Sequence, residues 1–158
     1  MLQRIQTVFL LLVALMMLLT LFFPFWTYQA VDSVEYYGLF AFYFERFDLE
    51  SEELVRIYFP FTLIATMAVA AITVASLEIT RYNNRLLQIK LGALNSLLIA
   101  GTLILAAYFA TDFIKSKGVA GHYGIAFFLP AAALIFNLLA NRYIRKDEKL
   151  VRSVDRIR

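Results

Sequence analysis

The chain has 158 residues, of which 61% are hydrophobic and 17% charged, and its formal net charge is +3. This composition is much more apolar than that of ordinary soluble domains, so it argues against a water-soluble globular protein. The sequence has no cysteine and one histidine, which excludes disulfides, thiolate catalysis and zinc sites built on several His or Cys ligands.

The apolar residues are concentrated in four blocks. Each block is long enough to cross a hydrocarbon core of about 30 Å at about 1.5 Å per helical residue. The first block is too long for a cleaved signal and lacks a small-x-small site, so we predict that it is retained. The fold class predicted is an all-α membrane protein, a four-transmembrane-helix bundle forming one domain. Its spans are expected at about residues 6–25, 56–78, 89–110 and 123–142.

Charge asymmetry between the connections predicts the orientation. Four spans put both termini on the same side as the connection at residues 80–90. That side carries eleven of the 15 Lys and Arg residues. The positive-inside rule therefore predicts cytoplasmic termini and an outer loop at residues 26–54.

The outer loop contains the run FAFYF, in which Phe40, Phe42 and Phe44 alternate with two other residues. A period of two is typical of a strand, so we predict a small two-stranded β element packed on the outer helix ends. A helix lying in the membrane interface is the alternative. Farther along, Asp48 or Ser51 is expected to cap the start of a helix that leads into the second span.

Aromatic residues are concentrated on the outer side of the predicted bundle. We expect Phe40, Phe42, Phe44 and Trp26 to form an outer aromatic cap over the helix ends. The alternative is that these side chains form a docking surface for a partner or an apolar ligand.

Two asparagines lie at matching depth within the predicted spans. Asn95 is five residues after Lys90, and Asn137 is five residues before Arg142. We expect Asn95 and Asn137, with Thr73 and Ser76, to form a hydrogen-bonded latch between helices. A small polar vestibule for a ligand is the alternative interpretation.

The sequence has no recognisable catalytic constellation. His122 is expected to be a solvated loop residue, and no acid–base pair is predicted at one depth. We therefore expect no enzymatic activity, no cofactor and no metal site. The charges are explained by membrane topology, so nucleic acid is not an expected partner.

The C-terminal tail, residues 143–158, has the pattern of a basic amphipathic helix. We expect it to contact anionic lipids or a cytoplasmic or membrane protein partner. A simple electrostatic anchor is the alternative. The candidate docking residues are Arg145, Lys146, Glu148, Lys149, Arg152 and Arg156.

Three segments resemble an uncharacterised bacterial family of four-span inner-membrane proteins, classed as a domain of unknown function. They are MLQRIQTVFLLL, TRYNNRLLQIKLGALN and the tail NRYIRKDEKLVRSVDRIR. The resemblance implies a four-helix protein of the bacterial inner membrane, and it transfers no catalytic residues.

Three classes of function are compatible with these patterns. A structural or accessory subunit that acts as a scaffold in an envelope complex is favoured. A small transporter or channel would need a continuous polar path through the spans. A membrane protein that binds lipid or an apolar ligand is the third class.

Overall fold

The structure, a computed structural model, describes residues 2–29, 35–48, 50–82, 84–118 and 120–155, with backbone alone for 2–4, 117 and 152–155. The described residues form four helices and five strands. In chain order these are α1 (Leu2–Leu19), β1 (Trp26–Gln29), β2 (Glu35–Leu39), β3 (Phe44–Asp48), β4 (Leu54–Ile57), α2 (Thr62–Thr80), α3 (Arg85–Lys117), β5 (His122–Tyr123) and α4 (Ile125–Asp155).

The helices pack as an antiparallel bundle whose interior positions recur at alternating spacings of three and four residues. On α1 these positions are Gln6, Leu10, Val13 and Met17. On α2 they are Ile64, Ala68, Ala71, Ala75 and Glu78. The same spacing continues on α3 from Gln88 to Ala106 and on α4 from Ala126 to Ile144. This period keeps one stripe of each helix facing its neighbours, as in left-handed bundles.

Small side chains occupy much of this interior. Ala68, Ala71 and Ala75 of α2 are fully buried, and Ala133 of α4 is packed in the same cluster. Alanine at an interior position lets two helix backbones approach closely, which favours packing by van der Waals contact.

The five strands form one antiparallel sheet in the order β4-β3-β2-β1-β5. Four of them come from the connection between α1 and α2, and β5 comes from the connection between α3 and α4. Both connections leave the bundle at the same end, which we call the sheet end. The opposite end, where Arg81–Asn84 joins α2 to α3, is the sheet-distal end.

The prediction of an all-α protein with a two-stranded element is wrong, because the described sheet has five strands. Three strands were missed. β2 ends just before the run FAFYF that was predicted to be a strand, and the residues of β4 were assigned to a helix. β5 has only two residues, too few to show a strand pattern. Strands this short carry little periodicity, and their pairing depends on residues distant in sequence.

The run FAFYF is a turn between strands. Only Phe44 belongs to a strand, and the backbone N–H of Phe40 donates to the carbonyl of Tyr43 at 2.9 Å. The N–H of Ala65 in the first turns of α2 donates to the Ala41 carbonyl at 3.1 Å. Thr62 Oγ1 also donates to the Phe42 carbonyl, at 3.0 Å. The turn therefore satisfies donors at the start of α2, a contact that alternation in the sequence does not reveal.

Asp48 does not cap a helix. Its Oδ1 accepts from the backbone N–H of Glu50 at 3.0 Å and from that of Ser51 at 3.4 Å. These bonds hold the pKa of Asp48 below its ordinary value. The same bond type closes a turn or starts a helix, so the sequence pattern was ambiguous. Here it forms the turn from β3 into β4, and α2 begins only at Thr62.

Aromatic packing joins the sheet to the bundle. The ring of Phe113 on α3 lies 5.3 Å from Trp26, 5.1 Å from Tyr37 and 4.5 Å from Phe44, measured between ring centroids. Trp26 is fully buried, and Gly121 lies so close to its ring that a Cβ there would be 2.3 Å from ring carbons. One helix side chain thus contacts three strands of the sheet.

Three helices within the described chain are long and apolar enough to cross a membrane. They cover Thr62–Thr80, Arg85–Ser116 and Ile125–Val151, and Ile5–Leu19 is a shorter apolar helix. The protein is thus consistent with a membrane protein.

Candidate functional site

The buried polar side chains are concentrated in the sheet-distal half of the bundle. This half holds the buried Asn95 and Asn137 near the middle, and Glu78, Gln88 and Gln6 at the sheet-distal end. Burying a polar group is costly unless it is hydrogen-bonded, so each of these residues requires a structural or functional reason.

Asn95 and Asn137 are in direct contact. Asn95 Nδ2 donates to Asn137 Oδ1 at 3.3 Å, and Asn137 Nδ2 lies 2.9 Å from the Gly92 carbonyl and 2.8 Å from Ser96 Oγ. These bonds link α3 to α4 at fixed register. A bond of this kind contributes about 0.6 kcal/mol on average between membrane helices.

Thr73 and Ser76 lie outside this contact. Both are exposed, and each donates to the carbonyl four residues earlier in α2, Val69 and Ile72 respectively. Matching depth had grouped them with the asparagines, but they face away from the interior stripe. The structure brings together Asn95, Asn137 and Ser96 instead.

Gly92 allows α4 to approach α3 one turn below Asn95. A Cβ at Gly92 would lie 2.0 Å from Asn141 Oδ1, so only glycine fits beside this side chain. Asn141 is 6% exposed. The close approach also leaves the Gly92 carbonyl accessible to the Asn137 amide.

A buried carboxylate lies at the sheet-distal end. Glu78 is fully buried on α2, and Gln88 Nε2 of α3 donates to its backbone carbonyl at 2.8 Å. Neither carboxylate oxygen has a hydrogen-bond donor among the described residues. Gln6 on α1 is 3% exposed, and its Oε1 likewise lacks a donor within that part of the chain.

The sequence argument missed this group. Glu78 was the last residue of the second predicted span and was given no interior role, and neither glutamine was considered. The alternating three- and four-residue spacing would have revealed them, because Glu78 continues the stripe of Ala71 and Ala75. Gln6 continues the stripe of Leu10 and Val13 in the same way.

An ion pair links α3 to α4 at the sheet-distal end. Arg85 Nη2 at the start of α3 lies 3.1 Å from Asp147 Oδ2 on α4, and both side chains are mostly buried. Asn84 caps α3, because its side chain accepts from the Leu87 N–H at 3.0 Å. The tail, predicted as a basic amphipathic helix that continues the fourth span, is part of α4, which runs without a break through Asp155.

A basic groove of about 610 Å³ runs between α3 and α4 near the same end. It is lined by Ala93, Ser96, Leu138 and Asn141 together with the basic side chains Arg142, Arg145, Lys146 and Lys149. Three of the predicted docking residues, Arg145, Lys146 and Lys149, thus line one concave surface. Glu148 is half-buried beside it, only the backbone of Arg152 is described, and Arg156 lies outside the described residues.

The four residues predicted to form one outer aromatic cap occupy different environments. Trp26 and Phe44 are buried in the core between sheet and bundle. Phe40 packs on Tyr43 within the turn, at 5.1 Å between ring centroids, and Phe42 is 40% exposed. His122 is exposed and paired with Thr27 at the sheet edge rather than lying in a loop.

Comparison with protein families identifies the family. The family model described as Domain of unknown function (DUF4293) matches residues 2–157. The chain belongs to this family. The prediction of an uncharacterised family is therefore confirmed. No curated protein matches the chain.

Gly92→Ala should destabilise the protein, whereas the same substitution at Gly101 in the same helix should not. At Gly92 the new methyl group collides with Asn141. Overpacking of this kind costs about 1–3 kcal/mol. At Gly101 the nearest atom is Met67 Sδ at 3.9 Å, so Gly101→Ala should stabilise the helix by up to about 1 kcal/mol.

The free energy of unfolding in an SDS titration, followed by circular dichroism, measures both effects. Equal effects of the two substitutions would contradict the close approach of α3 and α4 at Gly92.

Proposed function

We propose that this protein is an integral protein of the bacterial inner membrane that serves as a structural or accessory subunit of an envelope complex. All four helices cross the membrane, both termini are cytoplasmic, and the sheet lies on the outer side. The function rests on surfaces presented by the folded protein rather than on chemistry at a catalytic site.

The observation that carries the four-span proposal is an outward-facing apolar surface on every helix. Leu11 on α1, Val69 on α2, Leu97 on α3 and Ile135 on α4 are between 46% and 71% exposed. Apolar surface of this extent is unfavourable in water and is covered by lipid in a membrane protein. α1 has this surface as well, which supports its inclusion among the spans despite its shorter length.

Labelling of single cysteines in this cysteine-free chain tests the orientation. Ser51→Cys in the turn before β4 should react with an impermeant maleimide on intact cells, because the sheet lies outside. Tyr82→Cys, in the exposed turn between α2 and α3, should react only after the cells are opened. The reverse pattern would contradict the proposed orientation.

The open edge of the sheet supports the scaffolding role. β4 is the end strand of the described sheet, and all four of its residues are exposed, including Leu54, Val55 and Ile57. Exposed edge strands are normally protected by charges, proline or a bulge, because their unpaired backbone groups accept another strand. We therefore propose that an extended, apolar segment of a partner protein pairs with β4.

Val55→Lys should remove the partner while leaving the amount of protein in the membrane unchanged. A lysine on an edge strand opposes strand addition. Glu53→Lys is the matched control, because it introduces lysine at an exposed position two residues away and removes no apolar side chain. Mild-detergent co-purification and hydrogen exchange of β4 provide the measurements. Retention of the partner by both variants would contradict pairing at β4.

A second candidate function, binding of anionic lipid, is supported by the basic groove. Four basic side chains line it together with the apolar Ala93 and Leu138. Basic pockets between membrane helices suit phosphate-bearing headgroups, and each nearby basic residue contributes about 1 kcal/mol. This proposal assigns the groove to a lipid of the cytoplasmic leaflet.

Replacing Arg145 and Lys149 together by Gln should reduce co-purified anionic lipid about 30-fold, the equivalent of about 2 kcal/mol. Arg81→Gln combined with Lys90→Gln removes the same charge outside the groove and should have little effect. Native mass spectrometry in defined lipid mixtures measures the bound lipid. Equal loss in the two double variants would show that net charge, rather than the groove, attracts the lipid.

A further inference from the structure

Glu78, Gln6 and Gln88 lie at one level of the bundle interior. The hydrogen bond from Gln88 Nε2 to the Glu78 carbonyl shows that these residues of α3 and α2 lie at the same height along the bundle axis. The ring of Phe9 on α1 lies between Phe136 and Tyr143 of α4, at 5.9 and 5.7 Å between centroids. This places Gln6 at the level of Ile144, which is fully buried and lies one interior position beyond Ala140.

The levels of α3 and α4 are fixed by two contacts. Asn95 bonds to Asn137, and Gly92 lies against Asn141. The next interior position toward the sheet-distal end is therefore Gln88 on α3 and Ile144 on α4. Three helices thus contribute a polar side chain to this level and the fourth contributes an isoleucine.

The buried atoms without a partner on these three side chains are all acceptors. Both carboxylate oxygens of Glu78 and the Oε1 atoms of Gln6 and Gln88 are buried and have no donor within the described chain. The orientation of the Gln88 amide is fixed, because its Nε2 must face the Glu78 carbonyl in order to donate to it. Its Oε1 therefore points away from that carbonyl as an unpaired acceptor.

The level of Asn95 differs in charge. There the amides of Asn95 and Asn137 donate to Asn137 Oδ1, the Gly92 carbonyl and Ser96 Oγ, and the oxygens without a partner among the described residues, Asn95 Oδ1 and Asn141 Oδ1, belong to neutral amides. At the level of Glu78 a carboxylate replaces the amide. Two of the four unpaired oxygens there belong to this carboxylate, which favours a positively charged or donating ligand.

We propose that Glu78, Gln6 and Gln88 form a binding site for a single monovalent cation, an alkali ion or a proton. One carboxylate balances one positive charge, and carboxamide oxygens are hard ligands that suit such an ion. The described residues contain no group of three or more His, Cys, Asp or Glu side chains that could hold a metal ion, so a divalent ion is not assigned. The site lies in the last turn of α2, where the negative end of the helix dipole favours a cation.

The charged groups nearby leave Glu78 available. Arg85 of α3 pairs through Nη2 with Asp147 of α4, and its buried Nη1 has no partner among the described residues, so it bonds to neither carboxylate oxygen of Glu78. On α1 the interior position at this level is the neutral Gln6, and on α4 it is the apolar Ile144. The ligand is therefore expected to supply the charge that the described side chains do not supply to Glu78.

Thermal unfolding of the full-length protein in detergent tests this assignment. Wild type and Glu78→Gln are compared in sodium, potassium and choline chloride at equal ionic strength, and then across a pH series. A ligand that binds only the folded state raises the melting temperature with ligand concentration. We expect a dependence on the cation in wild type that Glu78→Gln lacks. Glu53→Gln, which removes an exposed carboxylate, should behave as wild type.

The two ligands give different results. An alkali ion produces dependence on sodium or potassium at fixed pH, together with saturable binding of ²²Na⁺ or a potassium analogue. A proton makes the difference between wild type and Glu78→Gln vary with pH and not with salt. Melting temperatures that respond identically in the two proteins to all of these conditions would overturn the assignment.

Gln88→Leu keeps the test valid if Glu78→Gln fails to fold. Loss of one acceptor should raise the half-saturating cation concentration about tenfold or, for a proton, shift the pH profile of stability. An unchanged cation response and an unchanged pH profile in Gln88→Leu would likewise overturn the assignment.

Discussion

The structure depends on the close approach of four helix backbones along one interior stripe. The stripe recurs every three or four residues and contains Ala68, Ala71 and Ala75 on α2 and Gly92 on α3. Because these side chains are small, neighbouring backbones approach closely there, while the larger Leu10, Met17 and Ile99 fill the rest of the interior. Many other large apolar residues are directed outward, and Leu97 and Ile104 are among the most exposed side chains. The large apolar side chains exposed on the outer faces of the helices are the strongest physical argument for a lipid environment.

The same close packing determines where polar groups can be placed. Asn95 and Asn137 reach each other because Gly92 brings α4 near, and the Gly92 carbonyl serves as a further acceptor. Beyond this level the interior contains Glu78 and two glutamines, whose four buried acceptor oxygens have no hydrogen-bond partner among the described residues. A structural bundle does not need a carboxylate in its interior. The buried carboxylate is why a ligand is proposed there, while the asparagines, which bond to each other, are assigned a packing role.

The sheet packs against the bundle through aromatic contacts and hydrogen bonds. Phe113 contacts three aromatic residues of the sheet, and the turn at Ala41 accepts a hydrogen bond from the first turns of α2. These contacts hold the sheet against the helix ends, and β4 is the end strand of the sheet that the described residues form. The scaffold proposal relies on that rigidity, because an edge strand held in place loses little further entropy when a partner strand binds.

The sequence by itself determined the helical, membrane-like character of the chain, because long apolar blocks are local features that need no tertiary information. It also identified Asn95 and Asn137, since counting residues from the charged ends of two helices gives their depth. Tertiary structure alone decided the sheet: β2, β4 and β5 are short, and their pairing joins residues up to about a hundred positions apart, as Trp26 and Tyr123 do. It also decided that Glu78 lies inside. A charged residue at the end of an apolar block is ordinarily exposed, and only the packing of α1 and α3 against α2 encloses this one.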